Sequence, residues 1–244
     1  MRVAALGVDC AEPERTWRAL RELPDVDLLV LPELAFSPWL CATRDVDPSA
    51  WSRAVAGQQL ALLSQLRAGV VIGTHATDSA GRHNDAFVWT AEAGLRSVHR
   101  KTFLPDEPGY WEASWYDRGP VDFQAFDTPV GRIGVSVCTE MWFTQHSYPD
   151  VDLLVVPRAT PLETTEKWVA GGVAHAVCSG AFCISSNRAE TVDGTTMGGA
   201  GWVIDPDGGV LAVTSTQHPV AVVDIDLARS RDAKTTYPRY VRRD

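Results

Sequence analysis

Short apolar runs, rich in Val, Leu and Ile and bounded by Pro, Gly or charged residues, recur along the whole chain. Runs of about four to eight such residues are typical of buried β-strands. The dipeptide Ala93-Gly94 lies between two of these runs and predicts the turn of a hairpin. We therefore predict strands at residues 2–8, 26–31, 69–74, 84–90, 95–100, 121–126, 132–137, 151–156, 181–186, 201–205, 210–213 and 220–225.

Other segments carry apolar residues at roughly helical spacing. Residues 13–23, 49–67 and 164–179 are predicted to be helices, with a short helix at about 141–147. Residues 101–120 are rich in Pro, Gly and aromatic side chains and predict a long ordered loop, which in a compact domain is usually functional. Strands that alternate with helices, with hairpins between them, predict a layered α/β fold with a mixed sheet.

One ten-residue segment occurs twice. The sequence PDVDLLVLPE at 24–33 recurs as PDVDLLVVPR at 149–158, and only two of the ten positions differ. The repeat has two interpretations: two buried parallel strands share a composition, or the fold has pseudo-twofold symmetry. In the second case both strands end at one cleft, which places Glu33 and Arg158 on its two sides.

Composition narrows the class of protein. The chain has 244 residues, 45% of them hydrophobic, and no linker-like stretch divides it, so we expect one domain over residues 1–244. The net charge of −9 argues against a nucleic-acid or anionic-membrane partner, and no apolar run reaches the length of about 18 residues that a membrane span needs. The five cysteines are odd in number and lack paired or zinc-binding spacing, which predicts reduced thiols in a cytoplasmic protein.

One predicted strand leads directly to Cys138, where a sharp turn could present the sulfur to a cleft. A cysteine there is either a small core residue or a nucleophile. A nucleophilic thiol needs a base and a group that stabilises negative charge. Glu33 and Lys101 each follow a predicted strand, and Glu112 lies in the aromatic loop. Because sites in α/β sheets gather at strand ends, the three together are candidates for those roles.

Four motifs follow one another along the chain: Pro32-Glu33-Leu34, Arg100-Lys101-Thr102-x-Leu104-Pro105, Gly109-Tyr110-x-Glu112 and Gly134-x-x-x-Cys138-x-Glu140-x-Trp142-Phe143. Together they resemble the nitrilase superfamily of carbon–nitrogen hydrolases, and the similarity extends from Val3 to about Arg239. The resemblance implies a four-layer αββα sandwich with two mixed β-sheets and pseudo-twofold symmetry. It also implies a homodimer or a higher homo-oligomer.

The same resemblance implies a Glu-Lys-Cys triad. Glu33 becomes the base, Lys101 the oxyanion stabiliser, Cys138 the nucleophile and Glu112 a supporting glutamate. The backbone N–H of Thr139 becomes a second oxyanion donor. The chemistry is then cleavage of a non-peptide C–N bond in a small amide or N-carbamoyl compound, through a thioester and with no metal or organic cofactor.

The chain departs from the superfamily pattern after the cysteine. Many members have a longer helix there, and the carbamoylases that act on amino acids tend to carry basic residues just after the cysteine, whereas this chain continues with Met141-Trp142-Phe143. These departures favour a stand-alone amidase or carbamoyl hydrolase over a nitrile hydrolase, which stays an alternative. We expect Trp111, Trp142 and Phe143 to form an aromatic wall around the substrate.

Arg158 occupies a position that often holds a small or hydroxyl residue in the superfamily. Its guanidinium would need an anionic partner inside a partly dry cleft. That partner is either a protein carboxylate, with Glu140 or Glu163 near in sequence, or the carboxylate of a substrate whose far end is acidic.

Two rival hypotheses come from other classes. Cys138, His175 and Asn187 have the order of a papain-like Cys-His-Asn hydrolase, but their separations are far shorter than in that family. The second rival is a catalytically silent member that acts as a binding or scaffold protein. Unusual reactivity of Cys138 would separate an enzyme from a silent protein.

Overall fold

The computed structural model describes residues 1–144, 148 and 150–241. Within those residues five α-helices occur: α1 (Pro13–Arg21), α2 (Pro48–Ala56), α3 (Glu112–Trp115), α4 (Thr165–Ser179) and α5 (Ala228–Ala233). Across the same residues run the strands β1 (Arg2–Val8), β2 (Val26–Val30), β3 (Ala68–Thr77), β4 (His83–Thr90), β5 (Gly94–Arg100), β6 (Phe126–Thr128), β7 (Gly131–Val135), β8 (Leu153–Arg158), β9 (Phe182–Arg188), β10 (Thr191–Val192), β11 (Thr195–Thr196), β12 (Trp202–Ile204), β13 (Val210–Val213) and β14 (Val220–Asp224).

All strands except β10 and β11 join one large mixed sheet that divides into two similar halves. In the first half the order is β14-β1-β2-β3-β4-β5, and in the second it is β6-β7-β8-β9-β12-β13. Each half has the same directions: an antiparallel pair, two parallel pairs and two more antiparallel pairs. The halves are joined where Gly7 and Val8 of β1 pair with Asn187 and Arg188 of β9.

The duplicated sequence segment lies at equivalent places in the two halves. Its two copies form β2 and β8, each the third strand of its half. The backbones meet at the ends of these strands, since the N–H of Glu33 donates to the carbonyl of Arg158, the last residue of β8, at 3.2 Å. The pseudo-twofold symmetry that the repeat predicts is therefore confirmed, whereas the expected place of Arg158 on one side of the cleft is wrong, because Arg158 does not line the cavity beside Cys138.

Helices cover the outer faces of the two halves, which gives the αββα layering. In β1, Val3 and Ala5 face the inner core shared with the second half, whereas Ala4 and Leu6 pack outward with α1. Such alternation is the period of a strand with both faces buried. On the other side α4 contacts β9 and β12. The helix packs closely on the sheet there, because a Cβ at Gly172 of α4 would lie 2.9 Å from the indole of Trp202 on β12.

Most predicted strands and helices are present with shifted ends, but some predictions are wrong. Residues 121–125 are not a strand, and the predicted helix at 49–67 is α2 followed by a 3₁₀-helix at Gln58–Gln65. The predicted helix at 141–147 is a 3₁₀-helix at Cys138–Trp142, and residues 145–147 lie outside the described part. The sequence reading missed α3, α5 and the β10–β11 hairpin. No helix in the described ranges has the length and apolar character needed to span a membrane.

Candidate active site

The backbone turns sharply at Cys138. This residue follows β7 by a short extended segment and begins the 3₁₀-helix Cys138–Trp142 with φ = +51°. A positive φ is uncommon for a residue with a Cβ and often marks a functional turn. The side chain is 3% exposed, and Sγ lies 3.7 Å from the carbonyl oxygen of Ala159. The predicted turn at the end of this segment is present, and the sulfur lines a cavity.

A buried ammonium group lies between two buried carboxylates next to this turn. Lys101 Nζ is 2.7 Å from Glu33 Oε1 and 2.8 and 2.6 Å from the two oxygens of Glu112. All three side chains are at most 1% exposed. Burial alone lowers the pKa of Lys101, but the charges of Glu112 and Glu33 outweigh it and hold the pKa well above its usual range. Burial raises the pKa of Glu112 to about 8, against the opposing effect of Lys101.

Glu33 keeps one carboxylate oxygen free. Its Oε1 accepts hydrogen bonds from Lys101 Nζ and from Asn84 Nδ2, both at 2.7 Å. Its Oε2 is buried and has no hydrogen-bond partner in the described part of the chain. An unpartnered buried carboxylate oxygen is costly unless it serves a purpose, so this atom is the acceptor that the site leaves open.

Electrostatics keep the thiol of Cys138 protonated at rest. Burial raises its pKa to about 12, and the negative charge of Glu33 adds to the rise, while Lys101 opposes it. A buried thiol beside a carboxylate therefore reacts only when a base removes its proton at the moment of attack. The unpartnered oxygen of Glu33 belongs to a carboxylate whose charge already acts on this thiol.

Glu140 joins the turn at Cys138 to the strand end that carries Lys101. One of its oxygens accepts from the N–H of Thr102 at 2.6 Å, and the other accepts from the N–H of Val137 at 2.7 Å and contacts His99 Nε2 at 2.8 Å. The carboxylate thus holds a neighbour of Lys101 and a neighbour of Cys138 at once, which fixes the distance between the two segments.

The cavity that Cys138 lines has a volume of about 230 Å³. Of the predicted substrate contacts, Thr139 and Trp142 line it, together with Glu112. The rest of its wall comes from Pro105, Glu107, Tyr110, Ala159, Thr160, Pro161, Thr164, Lys167 and Trp168.

The other two predicted wall residues pack elsewhere. Trp111 lies under the Arg44 guanidinium, 4.0 Å from its ring centroid, and Phe143 stacks on Phe103 with ring centroids 3.9 Å apart. Neither is among the residues that line the cavity. The indole wall consists of Trp142 and Trp168, whose rings lie 5.0 Å apart.

Arg158 does not line the cavity, and the expectation of a carboxylate partner from the protein is wrong. Its guanidinium donates to the Ser185 and Thr160 hydroxyls, each at 2.7 Å, and to the carbonyl of Ala200. It also lies 3.8 Å above the Trp202 ring. Burial among these neutral groups lowers the pKa of Arg158 to about 9. Glu140, one of the two candidate partners, is occupied as described above.

The papain-like arrangement is not formed. Both ring nitrogens of His175 are buried without a hydrogen-bond partner in the described residues, and burial lowers the pKa of this histidine to about 4. The side chain of Asn187 pairs with the backbone of Thr160 instead, at 2.9 and 3.2 Å. Neither residue lines the cavity beside Cys138.

Sequence reasoning missed several residues that shape the site. Asn84 lies on β4 and orients Glu33, and Arg188 donates to the carbonyls of Glu33 and Leu34 at 3.0 and 2.8 Å. No local motif signals these roles, because both act across the sheet. Glu140 was readable, since it follows Cys138 by two positions. In the described ranges no group of three or more His, Cys, Asp or Glu side chains is arranged to hold a metal ion.

Comparison with known proteins defines the class. The family model described as carbon-nitrogen hydrolase matches residues 10–235. The chain therefore belongs to the carbon-nitrogen hydrolase family. The fold agrees: the crystal structure of a carbon-nitrogen hydrolase from Helicobacter pylori G27 superposes with a TM-score of 0.86 at 22% identity, over 100% of this chain and 95% of that one.

Two groups of curated relatives stand near this chain. It is 26% identical over 187 residues to N-carbamoylputrescine amidase of Arabidopsis thaliana, a match that covers 67% of this chain and 62% of that protein. It is 28% identical over 178 residues to omega-amidase NIT2 of Mus musculus, over 68% of this chain and 64% of that protein. The matches thus span less than two thirds of the relatives' own length.

Proposed function

We propose that this chain, as one domain over residues 1–244, hydrolyses a non-peptide C–N bond of a small amide or N-carbamoyl compound. The triad is Glu33, Lys101 and Cys138, and Glu112 supports Lys101. The observation that carries the proposal is the buried ammonium held between two carboxylates beside a thiol that opens into a cavity. Burial of these ionisable groups is costly, and such groups with shifted pKa values cluster at functional sites.

The first half-reaction forms a thioester. Oε2 of Glu33 takes the proton of the Cys138 thiol as Sγ attacks the carbonyl carbon, so that a C–S bond forms and the carbonyl oxygen becomes an oxyanion. Lys101 and the N–H of Thr139 stabilise that oxyanion. Glu33 then gives the proton to the leaving nitrogen, the C–N bond breaks, and ammonia or an amine departs.

The second half-reaction regenerates the thiol. Glu33 takes a proton from a water molecule while the water oxygen attacks the thioester carbon. The tetrahedral intermediate collapses, the C–S bond breaks, and Glu33 returns the proton to Sγ. The acid product, or a carbamate from an N-carbamoyl substrate, leaves the cavity. Glu112 holds Lys101 in place throughout.

The relatives support the amide and carbamoyl chemistry. Their names describe one enzyme that acts on N-carbamoylputrescine and one that acts on an ω-amide. Each substrate presents a terminal C–N bond that fits the mechanism above. We also propose that the protein works in the cytoplasm, in keeping with its five free cysteines, and that it forms a homodimer or higher homo-oligomer, as the family resemblance implies.

The test is to trap the acyl-enzyme. Incubation with a small amide and hydroxylamine should yield a hydroxamate, and mass spectrometry of wild-type protein quenched in acid during turnover should find acyl mass on the peptide that contains Cys138. Cys178, the exposed cysteine, provides the matched control. Cys178→Ser should retain hydrolysis and Cys138→Ser should lose it. Hydrolysis that survives Cys138→Ala would overturn the proposed triad, and a wild-type protein that hydrolyses no amide and forms no acyl-enzyme would favour the silent-scaffold alternative.

A further inference from the structure

Two charges of opposite sign lie on the wall of the catalytic cavity and have no assigned role. Glu107 comes from the loop after β5, and Lys167 comes from the first turn of α4. Both side chains are exposed to solvent, and neither takes part in any ion pair among the described residues. Cys138 and Glu112 line the reacting end of the same cavity. Both charges therefore border the space in which a molecule that reaches Cys138 would lie.

The backbone that presents Glu107 is rigid. Glu107 and Tyr110 form an isolated β-bridge around Pro108 and Gly109, and Gly109 has φ = +82°. Pro followed by a Gly with positive φ is the signature of a type II turn. The indole N–H of Trp39 donates to the carbonyl of Gly109 at 2.8 Å, which ties the turn to the body of the protein. The turn thus fixes the backbone position from which the Glu107 side chain extends.

The backbone of Lys167 is also held in place, and its ammonium group contacts an aromatic ring. Its Cα belongs to a 15-residue helix, and its Nζ lies 5.5 Å from the centroid of the Trp142 ring. The indole holds the ammonium over the cavity by a cation–π contact without neutralising it. A carboxylate on a bound molecule can therefore approach Lys167 without displacing a protein anion.

We infer that the substrate carries an α-amino acid group at the end remote from the scissile C–N bond. This inference rests on the proposed function and names its substrate class: ω-amido or ω-carbamoyl α-amino acids. The α-ammonium pairs with Glu107, the α-carboxylate pairs with Lys167, and the methylene chain lies along the indoles of Trp142 and Trp168. An uncharged or singly charged end leaves at least one of the two protein charges without a partner.

Arg158 cannot replace Lys167 in this role. The sequence favours Arg158 as the binder of an acidic substrate end, but that guanidinium is buried against Ser185, Thr160 and the Trp202 ring, outside the cavity. Lys167 is the cation that the cavity does present, and Glu107 adds the requirement for a positive charge beside the acid.

Two matched sets of four compounds test the inference. The amide set is L-glutamine, glutaramate, 4-aminobutanamide and butanamide, and the carbamoyl set is L-citrulline, 5-ureidopentanoate, N-carbamoylputrescine and butylurea. Within each set the members differ only in the charges of the far end. Ammonia release gives kcat/KM for wild type, and calorimetry with the Cys138→Ala variant gives affinity without turnover.

We expect the zwitterion to lead its set by about tenfold over each singly charged analogue, the range of a charged hydrogen bond. Glu107→Gln should abolish the advantage of L-citrulline over 5-ureidopentanoate, and Lys167→Met should abolish its advantage over N-carbamoylputrescine. Lys167→Arg should restore it. Glu163→Gln is the matched control, because Glu163 is a nearby exposed carboxylate that does not line the cavity. That variant should behave as wild type.

Other outcomes separate the two proposals. If butanamide or butylurea is hydrolysed and bound as well as its zwitterionic counterpart, the substrate class is wrong while the hydrolase proposal stands. If Glu107→Gln and Lys167→Met leave every ratio unchanged, the substrate class is again wrong. If the Cys138→Ala variant binds zwitterions selectively but wild type cleaves none of the eight compounds, the binding inference stands and the proposed hydrolysis fails.

Discussion

Glu33 and Arg158 occupy equivalent positions in the two halves of the molecule, but their neighbours differ and so do their hydrogen bonds. Glu33 lies just after the third strand of the first half, Arg158 is the last residue of the third strand of the second half, and their backbones are joined by a hydrogen bond. Glu33 shares Lys101 with Glu112 and retains one free oxygen. Arg158 donates all of its described hydrogen bonds to neutral oxygens.

The difference shows what a repeated scaffold determines. The duplicated strand brings two charged side chains to equivalent positions and leaves their neighbours to decide the result. A buried charge with an unused hydrogen-bonding atom can exchange a proton, whereas a buried charge whose partners are all in place stabilises the fold. Exchanging or removing each charge therefore tests the comparison directly.

The largest effect is expected from Glu33→Gln. The amide keeps the shape of the side chain but cannot take the proton of Cys138, so kcat/KM should fall by about 10³-fold or more. Stability should change little, because Lys101 retains Glu112 as a partner. Steady-state ammonia release, with circular dichroism as a check on folding, measures both. Near-normal turnover in this variant would remove Glu33 from the role of base.

The next effect is on stability, in the Arg158→Ala variant. Truncation leaves the Ser185 and Thr160 hydroxyls and the Ala200 carbonyl without their donor and opens a cavity beside Trp202. The expected loss in the free energy of unfolding is about 3–5 kcal/mol. Urea unfolding measures it. Arg158→Met fills more of the space and should lose less.

Folded Arg158→Met protein should keep its kcat within a few-fold of wild type, because the guanidinium does not line the cavity. A variant of normal stability that has lost turnover or a preference for acidic substrates would instead return Arg158 to the binding site. The comparison with Glu33 would then fail, since both charges would act on the substrate.

In the same half as Arg158, burial of His175 is expected to make the free energy of unfolding depend on pH, by about 3 kcal/mol in total. Its folded pKa of about 4 lies below the unfolded value of 6.5, so the unfolded state binds more protons in that window. Stability should therefore fall as the pH drops from about 6.5 to about 4, at up to about 1.4 kcal/mol per pH unit. Urea midpoints across this range measure the slope. His175→Gln should flatten it, and an unchanged slope would show that other groups cause the acid sensitivity.

The smallest effect is expected from Glu140→Gln, because Glu140 positions the site rather than reacting. The amide can accept one of the two backbone N–H donors but cannot satisfy Thr102, Val137 and His99 together. We expect kcat to fall by about tenfold with little change in KM, the result of a small displacement between Lys101 and Cys138. The shorter carboxylate of Glu140→Asp should give a kcat that also lies below that of wild type. A change confined to KM would place Glu140 in substrate binding instead.

Much of the fold was readable from the sequence because apolar runs with both faces buried leave a strong signal. Strands β1 and β13 have the predicted limits, and the duplicated segment predicted the symmetry. The strand predicted at 121–126 is wrong for a physical reason: Phe123 packs its ring 4.8 Å from His99 and 6.2 Å from Tyr148. Its apolar character serves a loop cluster rather than the sheet, which the run alone does not reveal.

Some residues of the site were also predictable from the sequence, and others were not. Glu33, Lys101, Glu112 and Cys138 were predicted because each carries chemistry in a motif, and the structure brings the three charges together. Arg158 was misjudged because its partners come from strands that are distant in sequence. The β10–β11 hairpin could have been found, since the dipeptide Asp193-Gly194 favours a two-residue hairpin turn. In the structure both residues have the positive φ that this turn requires.

The route of the first and last strands of the sheet bears on how this chain could be cut or rearranged. Strand β1 pairs with β2 and β14 and, at its end, with β9, and β14 is drawn from the far end of the chain. A break in the loop near residue 120 would give one fragment without β14 and another without the partner of β9. Neither fragment is complete, so the two should fold by complementation with each other. A chain circularly permuted at that loop should give more folded protein than either half expressed alone.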